Sequence, residues 1–162
     1  MVNEENLVLA VLLDNLKTNY KDFVKDYKYR ISLQWKIYLL EQLGFKLCNN
    51  FSWGKLGVYS YDLMEKLYDC LINIEPTDLD GYAFNEPYQG YFDKFIAMEN
   101  EKPDMIDNYK WLHLLSSVCF WKEKNDNWKD SVNQLLQPDI LTHQELADVC
   151  LTKHIKQKRE VK

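Results

Sequence analysis

A chain of 162 residues with 46% apolar and 14% aromatic residues carries enough large side-chain surface to build one core, which excludes a disordered polar chain. Five Gly and four Pro over that length leave too little punctuation for a meander of short strands, so the composition points to a mainly α, compact helical domain. The net charge of −5 argues against a general polyanion binder, no apolar run reaches the roughly 20 residues of a membrane-crossing helix, and the acidic start Met1-Val2-Asn3-Glu4-Glu5-Asn6 is unlike an export signal; the chain reads as cytoplasmic, with no membrane partner.

Residues 4–16 place Leu7, Leu9, Ala10, Val11, Leu13 and Leu16 around most of a helical circumference, which predicts a buried helix. A basic, aromatic stretch follows, and the next apolar pattern predicts a helix over about 32–43 that Gly44 closes with a left-handed cap. The short runs 45–47 and 51–53 flank Asn49-Asn50, a turn-forming pair, and predict a small β-hairpin. Ser60 is an N-cap for a third helix whose buried face would be Leu63, Met64, Leu67, Tyr68 and Leu71. Residues 75–81 read as a loop, and Pro87 as the opening of a helix that buries Tyr88, Tyr91, Phe92, Phe95 and Ile96. A helix from about Pro103 contains the apolar run Trp111 to Trp121 and is the expected centre of the core; a shorter one covers 128–136. Thr142 and Glu145 form the pattern of a capping box for a last helix, with Leu146, Val149 and Cys150 facing inward. This organisation gives one helical domain over 1–152 and a basic tail over 153–162.

The chemistry-bearing residues have bland readings. Cys48, Cys70, Cys119 and Cys150 are irregularly spaced and read as reduced thiols. Asp78-Leu79-Asp80-Gly81 has the opening of a calcium loop but lacks the later oxygen ligands and the closing glutamate. His113 sits in the most apolar helix and reads as a buried core histidine, while His143 and His154 are read without a cysteine or second histidine at ligand spacing. Asp62, Glu65 and Asp69 share one side of a helix and read as a solvated face. With no Gly-rich phosphate loop and no nucleophile elbow, the chain is read as a non-enzyme with no cofactor and no metal.

Charge is unevenly placed. Residues 17–36 balance at +4 and the last ten at +4, whereas residues 62–148 hold 18 acids against 7 bases, a balance of −11. Any nucleic-acid contact would therefore use the ends, through Lys21, Lys25, Lys28 and Arg30 with Lys156, Lys158 and Arg159, where interleaved tyrosines could stack on bases. A protein partner would instead meet the aromatic stretch Tyr82, Phe84, Tyr88 and Tyr91, or the acidic surface.

The blocks Leu33-Gln34-Trp35-Lys36-Ile37-Tyr38-Leu39-Leu40-Glu41, Phe51-Ser52-Trp53 and Gly57-Val58-Tyr59-Ser60-Tyr61-Asp62-Leu63 resemble the YwgA-like family of small uncharacterised bacterial and archaeal proteins, as do 111–118 and 137–147. The resemblance covers most of the chain after residue 30. It implies a helical domain with a winged-helix-like N-terminal part, in a family without an established activity, and it transfers no catalytic residue. Because the acidic majority disfavours phosphate and winged-helix folds also serve as protein docks, the expected function is a non-catalytic protein-binding adaptor or regulatory module. The alternative is a nucleic-acid-associated winged-helix-like regulator.

Overall fold

Four short polar side chains decide where helices begin. The Asn19 side chain accepts the Asp22 N–H at 2.8 Å, Asp26 that of Lys28 at 3.0 Å, Ser60 that of Leu63 at 3.2 Å and Asp107 that of Lys110 at 2.8 Å, each satisfying a donor the first helical turn leaves unpaired. A computed structural model describes residues 4–155, with side chains from residue 6 onward. In chain order it contains α1 (Glu4–Asn15), α2 (Tyr20–Lys25), α3 (Tyr27–Leu43), β1 (Ser52–Gly54), β2 (Gly57–Tyr59), α4 (Tyr61–Asn73), a 3-10 turn (Pro76–Leu79), α5 (Tyr88–Asn100), α6 (Asn108–Lys124), α7 (Trp128–Leu135), α8 (Pro138–Leu141) and α9 (Gln144–His154). The described residues are thus mainly helical, with a small antiparallel hairpin. Among the described residues, no helix is long and apolar enough to cross a membrane.

The two long helices α3 and α6 pack against each other at the centre, and the other elements cover them. Both are buried nearly all round: α3 contributes Ile31, Leu33, Trp35, Ile37, Tyr38, Leu39, Leu40 and Leu43 to the core, and α6 contributes Trp111, Leu112, Leu114, Leu115 and Val118 through Phe120. Trp35 and Trp111 are fully buried, and truncating either to alanine would cost about 3–5 kcal/mol. The Trp111 indole N–H also donates to the Met98 carbonyl at 2.9 Å, which ties α6 to α5 and leaves no orphan donor. A second, smaller cluster of Ala10, Val11 and Leu79 lies beneath α1.

Gln34 is a buried polar residue that belongs to the fold. Its amide donates to the Ser60 carbonyl at 2.9 Å and accepts the Ser60 N–H at 3.0 Å, so a side chain of α3 replaces the strand partner that the end of β2 lacks. Gly44 has φ +139°, and a Cβ there would lie 2.4 Å from the Tyr91 ring, so glycine is required both by the backbone and by the close approach of α5.

Several expectations need correcting. The basic stretch before residue 32 is helical, because Asn19 and Asp26 cap α2 and start α3 five residues early. The hairpin lies further on: Ser52 pairs with Tyr59, Trp53 with Val58 and Gly54 with Gly57, so Lys55-Leu56 makes the turn, while Asn49 is held by Glu41 in the loop before it. The central helix begins at Asn108 behind Asp107, not at Pro103. Thr142 does not open α9 but is the C-cap of α8, where its hydroxyl donates to the Asp139 carbonyl at 2.9 Å, so α9 starts after His143. Consequently Ala147, Cys150 and Leu151 face inward, and Leu146 and Val149 are exposed. The Pro76–Leu79 turn buries Leu79 between the two acids of the calcium-like stretch, and Asp78 accepts the Glu75 N–H at 2.9 Å.

Candidate functional site

The basic residues singled out from sequence separate into two roles. Lys21, Lys25 and Lys28 are exposed, with Lys21 and Lys25 one turn apart on α2. Arg30 is committed to the fold: its guanidinium donates to the carbonyls of Phe23 at 2.9 Å and Val24 at 2.8 Å, closing the C-terminus of α2. The Lys28 ammonium lies 5.5 Å from the Tyr109 ring centre. Lys156, Lys158 and Arg159 lie outside the described residues, whereas Lys153 still belongs to α9 and pairs with Glu101 at 2.9 Å.

The aromatic stretch is divided in the same way. Tyr82 is exposed, but Phe84 stands edge-on to Phe45, Tyr88 stacks on Phe45 at 4.7 Å, and Tyr91 covers Gly44. Phe84, Tyr88 and Tyr91 therefore spend most of their surface on the core. What remains is a shallow groove of about 320 Å³ between α1 and this stretch, lined by Leu7, Val11, Tyr82, Phe84 and Tyr88 among others.

A larger aromatic surface lies on α2 and α4, where sequence reading did not place one. Tyr61, Tyr68 and Ile72 follow one another at seven- and four-residue steps along α4, on the side away from the buried Leu63, Leu67 and Cys70, and are 78%, 37% and 54% exposed. Tyr20 and Val24 of α2 are 46% and 45% exposed, and Phe23 beneath them meets the Tyr68 ring edge-on at 4.9 Å. A groove of about 410 Å³ continues the surface between α1, α2 and α4, with Tyr20 and Ile72 on its lining. The signal was in the sequence: an amphipathic helix with three large apolar residues on its outer face is an anomaly, but Tyr68 had been assigned to the inner face. Asp62, Glu65 and Asp69 are exposed beside this row; Asp62 meets Asn50 at 3.4 Å, and Asp69 meets Asn73 at 2.6 Å and Asn6 at 3.5 Å.

Two further groupings bear titratable groups. His113 is half-buried and stacks flat on Trp35, with ring centres 4.6 Å apart and planes 5° apart; burial pushes its pKa down to about 4, so the imidazole is neutral at neutral pH. At the end of α5, the Glu101 carboxylate accepts from Lys153 at 2.9 Å and from the Cys150 thiol at 3.2 Å, and lies 2.7 Å from His154 Nε2. Burial opposes ionisation of Glu101, but these hydrogen bonds and the His154 charge outweigh it and hold the group at about 2. Cys150 and His154 stand four residues apart on one face of α9, a ligand spacing that the sequence reading had not credited to any histidine. Cys48 is exposed, unlike the buried Cys70, Cys119 and Cys150, and among the described residues all four thiols are free. No protein-family model, curated protein or solved structure matches the chain.

Proposed function

We propose that the protein is a non-catalytic protein-binding module that docks a partner on the outer face of α2 and α4. The observation that carries the reading is the row Tyr61, Tyr68 and Ile72, joined by Tyr20 and Val24 and continued by the groove beside α1. Aromatic residues supply large contact area at low cost in conformational entropy, and they dominate the energetics of protein interfaces. The carboxylates Asp62, Glu65 and Asp69 flank the α4 side of this face and Lys21 and Lys25 its α2 side, so a partner segment that is apolar between basic and acidic neighbours is favoured, since complementary charge steers encounter and fixes register. Affinity capture compares the wild type with Tyr61→Ser/Ile72→Ser and with Tyr82→Ser. Loss of the same captured proteins from the first variant alone, at unchanged melting temperature, supports this face. Equal capture by all three, or loss from Tyr82→Ser alone, rejects it.

The second reading, a nucleic-acid-associated regulator, is favoured by exposed Lys21, Lys25 and Lys28 beside exposed Tyr20 and Tyr27. Against it, a winged-helix-like arrangement reads DNA with the helix before the wing, and here that helix, α3, is buried along most of its length. Replacing Lys21, Lys25 and Lys28 by glutamine tests it: a fall in affinity for mixed-sequence DNA and RNA together with a shallower salt dependence supports phosphate contact, and unchanged affinity rejects it. Membership of the YwgA-like family is proposed on the sequence blocks alone and adds no residue role to either reading.

A further inference from the structure

We propose that Glu101, Cys150 and His154 form a zinc(II) site that clasps the end of α5 to the last turn of α9. Their donor atoms, a carboxylate oxygen, the thiol sulfur and an imidazole nitrogen, all lie within 4.8 Å of one another. Sulfur, nitrogen and oxygen donors in one site match the borderline-soft character of Zn²⁺, which takes Cys, His and Glu at roughly 2.0–2.3 Å in a tetrahedron. Such a tetrahedron separates its donors by about 3.3–3.8 Å. The present spacings, 3.2 Å from sulfur to carboxylate and 2.7 Å from nitrogen to carboxylate, are those of protons holding the place of a metal. Side-chain rotations would open these two spacings by about 1 Å or less, and the sulfur–nitrogen pair is already within 4.8 Å.

Placement supports the assignment. Cys150 and His154 project from the same face of α9 because four residues make about one turn, and Glu101 faces them from the C-cap of α5. The site is closed on the core side, with Cys150 2% exposed and its sulfur also facing the Met98 carbonyl, and open on the carboxylate side, where the Glu101 side chain is 31% exposed. The open side gives the ion an entry path and leaves a fourth position for water. The rest of α5 and α9 already pack together, so little ordering remains to be done on binding.

The balance of binding is simple. The Cys150 S–H bond breaks, a Zn–S bond forms and the proton passes to solvent; the Glu101 carboxylate is already ionised. His154 coordinates through the Nε2 lone pair, with its remaining ring proton on Nδ1 and any second proton released. Lys153 meets Glu101 Oε1, not the Oε2 that Cys150 and His154 share, so its contact does not block the ion.

The test uses untagged full-length protein, titrated with Co²⁺ as a spectroscopic substitute and with Zn²⁺ against a chromophoric chelator. One Co²⁺ per chain with a thiolate-to-cobalt charge-transfer band is expected, with the band absent in Cys150→Ser. Zn²⁺ affinity is expected to fall by ~100-fold or more in Cys150→Ser, His154→Gln and Glu101→Gln, since even outer-shell groups are worth 10- to 100-fold. Lys153→Gln should bind as tightly as wild type or more tightly. Melting of the metal-free variants identifies any that fail to fold, and Zn²⁺ should raise the melting temperature of wild type and Lys153→Gln only. A missing charge-transfer band, or Zn²⁺ affinity unchanged by Cys150→Ser and His154→Gln, overturns the site.

Discussion

Gln34 and His113 show how much a single buried polar residue decides. The Gln34 amide stands in for a strand, meeting both backbone groups of Ser60 where β2 gives way to α4. Gln34→Leu keeps most of the volume but leaves the buried Ser60 N–H unpaired, while the Ser60 carbonyl keeps only the Met64 N–H at 3.2 Å, so a loss of about 1–3 kcal/mol is expected in urea unfolding; a loss below about 0.5 kcal/mol would show that water replaces the amide at no cost. His113 makes stability depend on pH. Its folded pKa of about 4 lies below the ordinary 6.5, so the unfolded chain binds a proton that the folded chain refuses. The contribution is complete above pH 6.5 and is lost as the pH falls toward 4, by about 2–3 kcal/mol between pH 7 and pH 4.5. His113→Phe retains a ring against Trp35 and should lose correspondingly less stability over that interval; parallel losses would place the acid sensitivity elsewhere. From sequence, His113 was legible as a core histidine, but its partner was not. Residues 35 and 113 come from different helices, and only the packing of α3 on α6 stacks their rings.

At the scale of elements, local chemistry was legible where it was self-contained. Ser60 was read as a cap and is one, and Ser60→Ala should cost about 1 kcal/mol, measured as a lower denaturation midpoint with an unchanged slope. Thr142, with a glutamate at the favoured spacing, had the same signature, yet Pro138 nucleates a four-residue helix that captures its hydroxyl. Thr142→Ala should therefore leave the start of α9 intact, with amide-exchange protection unchanged from residue 148 onward; fraying of that helix would restore Thr142 as its cap. Helix α2 escaped the sequence reading because six residues rich in lysine carry only Phe23 into the core, too little for periodicity to register. The hairpin was foreseen as an element but misplaced, since Asn49-Asn50 has the better turn propensity while Trp53 and Val58 have the better packing. The sequence reading passed over the four-residue spacing of Cys150 and His154, and Glu101, about fifty positions earlier, acquires meaning only through the docking of α9 on α5.

Over the described residues, the fold draws part of the basic segment and most of the aromatic stretch into structural roles. One basic segment is partly spent on structure, since Arg30 closes α2, and the predicted aromatic stretch is largely spent on the core around Phe45. Five exposed large apolar residues gather on the outer face of α2 and α4, where Tyr61 meets only the edge of Tyr59, at 5.0 Å, and Ile72 is more than half exposed. Protein docking is most directly tested by photo-cross-linking in cells, with a photoreactive phenylalanine at position 61 or 72 and, for comparison, at the still more exposed position of Met105, in the turn before α6. Discrete protein adducts from positions 61 and 72, absent from position 105, are expected. Adducts to nucleic acid, or the same diffuse products from all three positions, would contradict a protein dock on this face.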